Sequence, residues 1–132
     1  MDLEVLSIAA NTDNNRNIEN QTHVSKLKNS VCGDEMQIEL ILKNEKILDF
    51  GYQGKSCVYC QASASLLSKI SINNQKKKLN DLCDKAELYF DDNVKITEKE
   101  WVSLEKLIKK ENVNKKDCIL LPFKTLKKIV ST

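Results

Sequence analysis

Apolar and polar residues alternate along two neighbouring stretches of the chain. The first stretch covers residues 36–42 and the second covers residues 48–52. A period of two predicts strands with one buried face. Because only a short turn at Asn44 and Glu45 separates the two stretches, we expect an antiparallel hairpin. A weaker pattern over residues 23–27 predicts a third strand at the sheet edge.

On both sides of this hairpin the apolar spacing becomes that of helices. Residues 2–10 predict a short helix, and four more helices are predicted after the hairpin. Thr97 followed by Glu100 predicts a capping box for the third of these four. Residues 111–117 predict a polar link that ends at Cys118, just before the last helix, whose first turn should contain Pro122. The predicted apolar positions are, in chain order, Leu3, Val5, Leu6, Ile8 and Ala10; Cys60, Ala64, Leu67 and Ser71; Leu79, Leu82, Cys83, Ala86 and Phe90; Trp101, Leu104, Leu107 and Ile108; and Leu121, Leu126, Ile129 and Val130.

The order of these elements indicates the fold class. Strands come first and most helices follow, and 132 residues suffice for one hydrophobic core. No internal repeat or linker divides the chain. We therefore expect a single α+β domain over residues 1–132, in which a small antiparallel sheet of about three strands is covered on one face by helices.

Composition indicates a globular protein and disfavours two kinds of partner. Hydrophobic residues make up 41% and charged residues 30% of the chain, unlike a disordered protein. The net charge of +2 is too small to indicate binding to nucleic acid or to an anionic membrane. No apolar run approaches the roughly 20 residues that span a bilayer, and the polar N-terminal residues do not resemble a secretory signal. We expect a cytoplasmic protein.

Five cysteines are the unusual feature of this composition. Their odd number, without a secretory signal, disfavours a disulfide framework. Each cysteine is therefore either a small buried residue or a thiolate for metal or sulfur chemistry.

Three of the cysteines lie where a loop meets a predicted element, namely Cys32, Cys57 and Cys118. Ends of elements bring distant residues together at one rim of a domain, and helix N-termini stabilise thiolates. Together with Asp34, these residues would offer donors that suit Zn²⁺ or an iron–sulfur cluster. Spacing alone leaves the buried interpretation open as well.

Four short stretches of the sequence are weak signals one by one but form a specific pattern when they occur together. They are residues 18–20 (IEN), residues 32–34 (CGD), residues 54–65 (GKSCVYCQASAS) and residues 118–123 (CILLPF). In this order the sequence resembles the NifU-like iron–sulfur scaffold family, which includes the IscU and SufU scaffolds. The first stretch is similar to the family's Leu-Glu-Asn-Pro, with Gln21 in place of the proline. The resemblance covers most of the chain, from about residue 18 to residue 130.

The resemblance implies a role for each matching residue. Cys32, Cys57 and Cys118 match the cysteines that hold a nascent cluster or a zinc ion. Asp34 matches the aspartate that completes the zinc site in some members and helps cluster release in others. Cys118 also matches the usual acceptor of persulfide sulfur.

The function implied by the resemblance is that of a scaffold rather than an enzyme. Such a scaffold accepts sulfur and iron, assembles an iron–sulfur cluster of the 2Fe–2S type and transfers it to apo-proteins. The implied partners are a cysteine desulfurase and apo iron–sulfur acceptor proteins. The implied fold, a small antiparallel sheet covered by helices, agrees with the fold class predicted from the apolar pattern.

The sequence departs from the IscU pattern in two places. Asp117 stands where IscU members carry a histidine directly before the third cysteine, and residues 112–117 lack the chaperone-binding motif Leu-Pro-Pro-Val-Lys. The 61 positions from Cys57 to Cys118 suit the longer segment of SufU, with the stretch around Trp101 as the extra piece. The resemblance is therefore closer to SufU and gives no support for an Hsc-type chaperone partner.

The remaining cysteines and the single histidine are assigned structural roles. Cys57 and Cys60 have the spacing of a redox motif, but the βαβ setting of that motif is missing. We expect Cys60 to pack in its helix, with a fourth-ligand role as the alternative. Cys83 lies on an apolar helix face, and His23 is expected on the surface or in a strand. No nucleophile–base pair indicates hydrolysis.

Two alternatives to the scaffold function stay open. In the first, Cys32, Asp34, Cys57 and Cys118 bind Zn²⁺, and Cys118 leaves the metal to accept persulfide sulfur as part of a sulfurtransferase that activates a cysteine desulfurase. In the second, the zinc ion only stabilises the fold. An oxygen donor is less usual in such a structural site, where cysteine and histidine dominate.

Overall fold

The computed structural model describes residues 2–31, 33–92 and 95–132. Within these residues it contains one antiparallel sheet, in the strand order β1-β2-β3, together with α-helices and 3₁₀-helices. The elements are β1 (His23–Lys28), β2 (Glu35–Lys43), β3 (Lys46–Gln53), α1 (Leu3–Ala9), α2 (Val58–Ser71), α3 (Lys76–Asp92), α4 (Lys116–Val130), a first 3₁₀-helix (Lys99–Lys106) and a second 3₁₀-helix (Lys110–Lys115). None of the helices in the described ranges has the length and apolar content needed to cross a membrane.

Strands β2 and β3 form the hairpin that the alternating pattern predicts. Asn44 and Glu45 connect them with φ angles of 53° and 65°, as in the two-residue turns whose twist matches a hairpin. Leu40 pairs with Phe50, and both are fully buried on the same face of the sheet. The predicted alternation is wrong at Leu48, which is 43% exposed, while its neighbour Ile47 is buried. The register shifts after Ile41, where the alternation in the sequence also ends.

Helices cover the apolar face of the sheet. Helix α4 packs against β1 and β2, while α2 packs against β3 and α4. The hydroxyl of Ser63 in α2 donates to the carbonyl oxygen of Ile119 in α4 over 2.6 Å, which joins the two helices. The core residues of the sheet, such as Met36, Ile38 and Leu40, are fully buried under these helices. The predicted α+β class, with a small antiparallel sheet and helices, is confirmed.

Helix α1 buries a different face from the one predicted. Val5 is fully buried, whereas the side chains of Leu3 and Leu6 are 80% and 40% exposed. The helix has only 7 residues, too few for a full apolar stripe, and it packs on α2 with Val5 buried and Ile8 and Ala9 partly buried against the core. Asp2 caps it by accepting from the Glu4 N–H over 2.8 Å.

The segment around Trp101 is a 3₁₀-helix, not the predicted α-helix. It begins at Lys99 after Glu98, without a side-chain cap, so the predicted capping box is wrong. A 3₁₀-helix has three residues per turn, which aligns the buried residues Trp101, Leu104 and Leu107 on one face. The carboxylate of Glu98 pairs with Lys85 instead of capping the helix. The predicted polar link likewise contains the second 3₁₀-helix.

Helix α4 starts earlier than predicted. It begins at Lys116, so Cys118 lies within its first turn and not before it. Pro122 consequently lies inside the helix, where it has no N–H to donate to the carbonyl four residues earlier. The additional first residues, Lys116 and Asp117, are polar. The prediction used the spacing of apolar residues, which gives no signal for polar residues at a helix start.

Candidate metal centre

Three of the four predicted ligand residues lie together at one rim of the domain. One donor atom from each of Asp34, Cys57 and Cys118 lies within 4.8 Å of the other two. The fourth predicted residue, Cys32, lies outside the described residues. Of the grouped residues, Cys57 is half-buried while Asp34 and Cys118 are buried, so the group lies just below the surface.

The two cysteines of this group lie at the N-termini of two helices, α2 and α4. Cys57 is the N-cap residue of α2, and the Gln61 N–H donates to its carbonyl oxygen over 3.0 Å. Cys118 is the third residue of α4. Helix N-termini carry partial positive charge from N–H groups that lack partners within the helix. Each terminus stabilises nearby negative charge by about 0.3–1 kcal/mol, so the place suits anionic ligands.

A tight loop between β1 and β2 positions Asp34. The Asn29 N–H donates to the Asp34 carbonyl over 2.7 Å, and the Gly33 N–H donates to the Asn29 carbonyl over 2.8 Å. The Val31 N–H donates to Asn29 Oδ1 over 2.9 Å. Gly33 has a φ of 78°, a conformation that glycine adopts without strain. The glycine of the Cys-Gly-Asp stretch therefore has a clear backbone role.

The carboxylate of Asp34 has an unusual environment. The residue is 8% exposed, and its Oδ2 atom is buried without a hydrogen-bond partner among the described residues. A buried polar atom without a partner costs about 1–3 kcal/mol, and more when it is charged. A buried carboxylate with an unpartnered oxygen, in the same group as two cysteine sulfurs, fits a cation that both donor types can bind.

Gly54 brings the start of α2 close to the start of β2. It has a φ of 155°, and a Cβ atom at this position would overlap the carbonyl oxygen of Glu35. The Glu35 N–H donates to the Lys55 carbonyl over 2.8 Å. Since Asp34 precedes Glu35 and Cys57 follows Lys55, this backbone contact sets the distance between two donors of the group.

A cation–π contact joins the two helices beside the site. Lys115 Nζ lies 5.7 Å from the centroid of the Tyr59 ring. Tyr59 lies in the first turn of α2, and Lys115 directly precedes α4. Such contacts contribute about 0.5–1 kcal/mol at exposed positions. The sequence alone did not predict this pair. The only signal for it is that each residue lies within three positions of a candidate ligand along the chain.

The other candidate residues lie apart from this group. Cys60 is fully buried in the core, as expected for a packing residue, and the group of donors does not include it. Cys83 is also fully buried, and burial, with the nearby Glu87 carboxylate as a smaller cause, raises the pKa of its thiol. His23 begins β1, with its Nδ1 atom 2.8 Å from Thr22 Oγ1. The Asp117 side chain lines a separate cavity.

Fold and site together define a class: small α+β proteins in which two cysteines at helix N-termini meet an aspartate from the loop between two strands. Residues 2–86 match the model of the NifU-like N-terminal domain. The chain belongs to the NifU-like N-terminal domain family.

Two relatives have 31% sequence identity with the chain. The iron–sulfur cluster assembly scaffold protein IscU of Thermotoga maritima is similar over 111 residues, which is 83% of this chain and 78% of that protein. An uncharacterized protein of Borreliella burgdorferi is similar over 114 residues, or 86% of this chain and 79% of that protein. The similarity extends over most of each protein.

Two crystal structures share the fold. A NifU-like protein (N-terminal) from Brucella abortus superposes with a TM-score of 0.89 at 18% identity, over 98% of this chain and 91% of that one. A putative scaffold protein for the SUF system from Fervidobacterium islandicum superposes with a TM-score of 0.87 at 24% identity, over 96% and 93% of the two chains. At these identities the structures establish the common fold.

Proposed function

We propose that this protein is an iron–sulfur cluster assembly scaffold, a cytoplasmic carrier that receives sulfur and iron, assembles a cluster and hands it to apo-proteins. The observation that carries the proposal is the convergence of the Asp34, Cys57 and Cys118 donor atoms within 4.8 Å. Family membership and the relative that is an IscU scaffold support it.

In this proposal the cluster is a cargo that the protein's own thiolates hold. Cys57 and Cys118 supply two of these thiolates, and Cys32, two residues before Asp34, supplies a third. Thiolates are the usual ligands of iron–sulfur clusters, and a 2Fe–2S cluster takes four ligands. The Asp34 carboxylate, a harder donor, makes the weakest bond and is the first to release the cluster.

Cys118 is the residue that accepts sulfur in this proposal. Its thiolate attacks the outer sulfur of a persulfide on a cysteine desulfurase, which forms a new S–S bond while the desulfurase cysteine leaves as a thiolate. The N-terminus of α4 stabilises negative charge at the attacking and transferred sulfur atoms. The other partners are apo iron–sulfur proteins.

A zinc-dependent sulfurtransferase is the second candidate, and the buried Asp34 Oδ2 atom favours it. Three cysteines and one aspartate would complete the four-coordinate site that Zn²⁺ prefers. A zinc ion bound there would keep the thiols deprotonated and so ready to accept sulfur. Cys118 would accept persulfide sulfur, while Asp34 and the other cysteines hold the metal. A purely structural zinc site is less consistent with a half-buried cysteine at the rim.

The deciding experiment is metal analysis of protein purified without oxygen. Iron and acid-labile sulfide in equal amounts, retained by the parent protein and passed to an apo-ferredoxin, are the expected result. Cys57→Ser should lose the cluster, whereas Cys83→Ser, which alters a buried cysteine far from the site, should keep it.

Other outcomes distinguish the alternatives. One zinc ion per chain without sulfide, together with sulfur transfer to the protein, would establish the sulfurtransferase. Zinc whose removal lowers only thermal stability would establish the structural site. Equal cluster content in Cys57→Ser and Cys83→Ser would contradict the assigned ligands.

A further inference from the structure

A cavity of about 270 Å³ is lined by Asp117, which directly precedes Cys118, and by the loop that leads to Asp34. Two segments that position the centre also form this cavity. One is the loop after β1, which leads to Asp34, and the other is the first turns of α4, which carry Cys118. Its apolar surface comes from Leu27 and Leu121. Val31, which is 82% exposed at the tip of the loop, borders the opening.

Charged groups of both signs surround this apolar surface. Lys28 enters from the end of β1, and Asp117 and Lys124 enter from α4. Asp117, Leu121 and Lys124 lie at intervals of four and three residues, which places them on one face of the helix. In the described part of the chain, none of these three charged groups has an opposite charge within 4.0 Å. Two cations and one anion are therefore available to a ligand.

We propose that this cavity binds zwitterionic thiols, either free cysteine or a short cysteine-containing peptide. Lys28 and Lys124 bind carboxylates of such a ligand, and Asp117 binds its ammonium group. The methylene group and sulfur of the ligand contact Leu27 and Leu121. Asp117, which directly precedes the proposed sulfur acceptor, therefore helps to bind the small thiol and does not replace a metal ligand.

The bound thiol acts as a sulfur acceptor, a step that rests on the proposed function. The ligand thiolate attacks the outer sulfur of a persulfide on Cys118 and forms a new S–S bond to it. The S–S bond at Cys118 breaks, its electron pair stays on Cys118 Sγ, and the ligand leaves as a persulfide. No external oxidant or reductant is required, since one persulfide is exchanged for another. The site thereby releases sulfur that is not built into a cluster.

Binding is tested with unreactive analogues on the full chain. S-methyl-L-cysteine and S-methylglutathione, which cannot take up sulfur, are titrated while amide NMR signals of the cavity residues are recorded. Saturable shifts are expected in the parent protein, and the analogue that saturates at the lower concentration identifies the source of the thiol. S-methylcysteamine, which lacks the carboxylate, should bind at least fivefold more weakly than S-methyl-L-cysteine.

Two matched variants test the cavity itself. Lys124→Glu should weaken binding at least fivefold, whereas Lys128→Glu, an equally exposed lysine of α4 outside the cavity, should leave it unchanged. Shifts that do not saturate, or equal weakening in the two variants, would overturn the proposal.

A kinetic measurement separates this proposal from the proposed function. Protein is loaded with sulfur by a cysteine desulfurase, and sulfur release to L-cysteine is followed. The transfer step is supported if the release rate saturates with L-cysteine. The half-saturation concentration should be raised in Lys124→Glu but not in Lys128→Glu. The binding claim and the transfer claim can fail separately. If Cys118 takes up no sulfur, the sulfur-acceptor part of the proposed function and the transfer step both fail. The proposed ligand site still stands in that case if the analogues bind in the expected order.

Discussion

The rim of the domain and the core behind it contain the same residue type in opposite environments. At the rim, Cys57 and Cys118 lie at the N-termini of two helices, close to the Asp34 carboxylate. In the core, Cys60 lies in the first turn of α2, as Cys118 does in α4, and Cys83 lies in the middle of α3, and both are fully buried. Nearness to a helix start is therefore not sufficient, and the side of the helix that carries a cysteine decides whether it lies beside other donor atoms at the rim or is packed in the core.

Thiol reactivity should show the largest difference between the two regions. Because Cys83 is fully buried and burial raises the pKa of its thiol, whereas Cys57 is half-buried at the rim, Cys57 should react with iodoacetamide at pH 8 at least about 100-fold faster than Cys83. Mass spectrometry of timed samples measures both rates. Comparable rates in the folded protein would remove the distinction between rim and core.

The raised pKa of Cys83 also predicts how stability depends on pH. Above the usual cysteine pKa of about 8.5, the unfolded chain loses this proton while the folded chain keeps it. The free energy of unfolding should therefore fall as the pH rises from about 8.5 towards 10. Urea unfolding of the parent and of Cys83→Ala measures this, and the variant, destabilised by about 1 kcal/mol at pH 7, should lack that contribution to the slope.

Gly54→Ala tests the backbone contact that sets the geometry of the rim. The new Cβ atom would overlap the Glu35 carbonyl oxygen, so the chain must move where Asp34 and Cys57 are positioned. We expect Zn²⁺ or Co²⁺ affinity to fall at least tenfold, measured by competition with a chelator. Gly51→Ala is the matched control, since its Cβ would overlap the carbonyl oxygen of Arg16, in a strand that carries none of the donors. Equal losses of affinity in the two variants would count against the role of Gly54.

Asp34→Ala should change stability and cluster transfer in opposite directions. The metal-free variant should be about 1 kcal/mol more stable in urea, because a buried oxygen without a partner is removed. A reconstituted cluster should persist longer, while its transfer to an apo-acceptor, followed by visible absorption, should slow. Asp81→Asn, at an exposed position of α3, should change neither quantity. Faster transfer from Asp34→Ala would contradict the assigned role.

The smallest effect is expected at the sheet face away from the rim. Arg16 Nη2 lies 2.6 Å from Asp49 Oδ1, and this hydrogen bond lowers the pKa of the Asp49 carboxyl. The pair stabilises the fold fully above about pH 4, where Asp49 is charged in both the folded and the unfolded chain. This stabilisation is lost as the pH falls through the lowered pKa of Asp49. Because both side chains are partly exposed, Arg16→Ala should cost below about 1 kcal/mol at pH 7, and the cost should become smaller as the pH falls through the lowered pKa of Asp49. Metal content should stay unchanged.

The parts of the fold that could be predicted from sequence are those set by local periodicity. Alternation located β2 and β3, and helical spacing located α2, α3 and α4. Local periodicity does not distinguish a 3₁₀-helix from an α-helix in a short segment, so the α-helix predicted around Trp101 is wrong. It also does not determine which face of a seven-residue helix is buried, as Val5 shows.

The candidate site could be predicted only in part from physical pattern. Positions at element ends identified Cys57 and Cys118 as candidates, but spacing alone still favoured buried packing residues. The resemblance to a family selected them, because contacts between residues 34, 57 and 118 depend on tertiary packing that no local rule contains. The backbone contact at Gly54 and the position of Lys115 over Tyr59 depend on the same packing.

The separation of the donors along the chain has a consequence for biosynthesis. A ribosome that adds roughly 10 residues per second needs about 6 s to proceed from Cys57 to Cys118. During that interval the nascent chain holds Asp34 and Cys57 but lacks the helix that brings the third donor to them. Under the proposed function, loading must therefore follow synthesis and docking of α4, so that occupancy of the site marks a domain that has already folded.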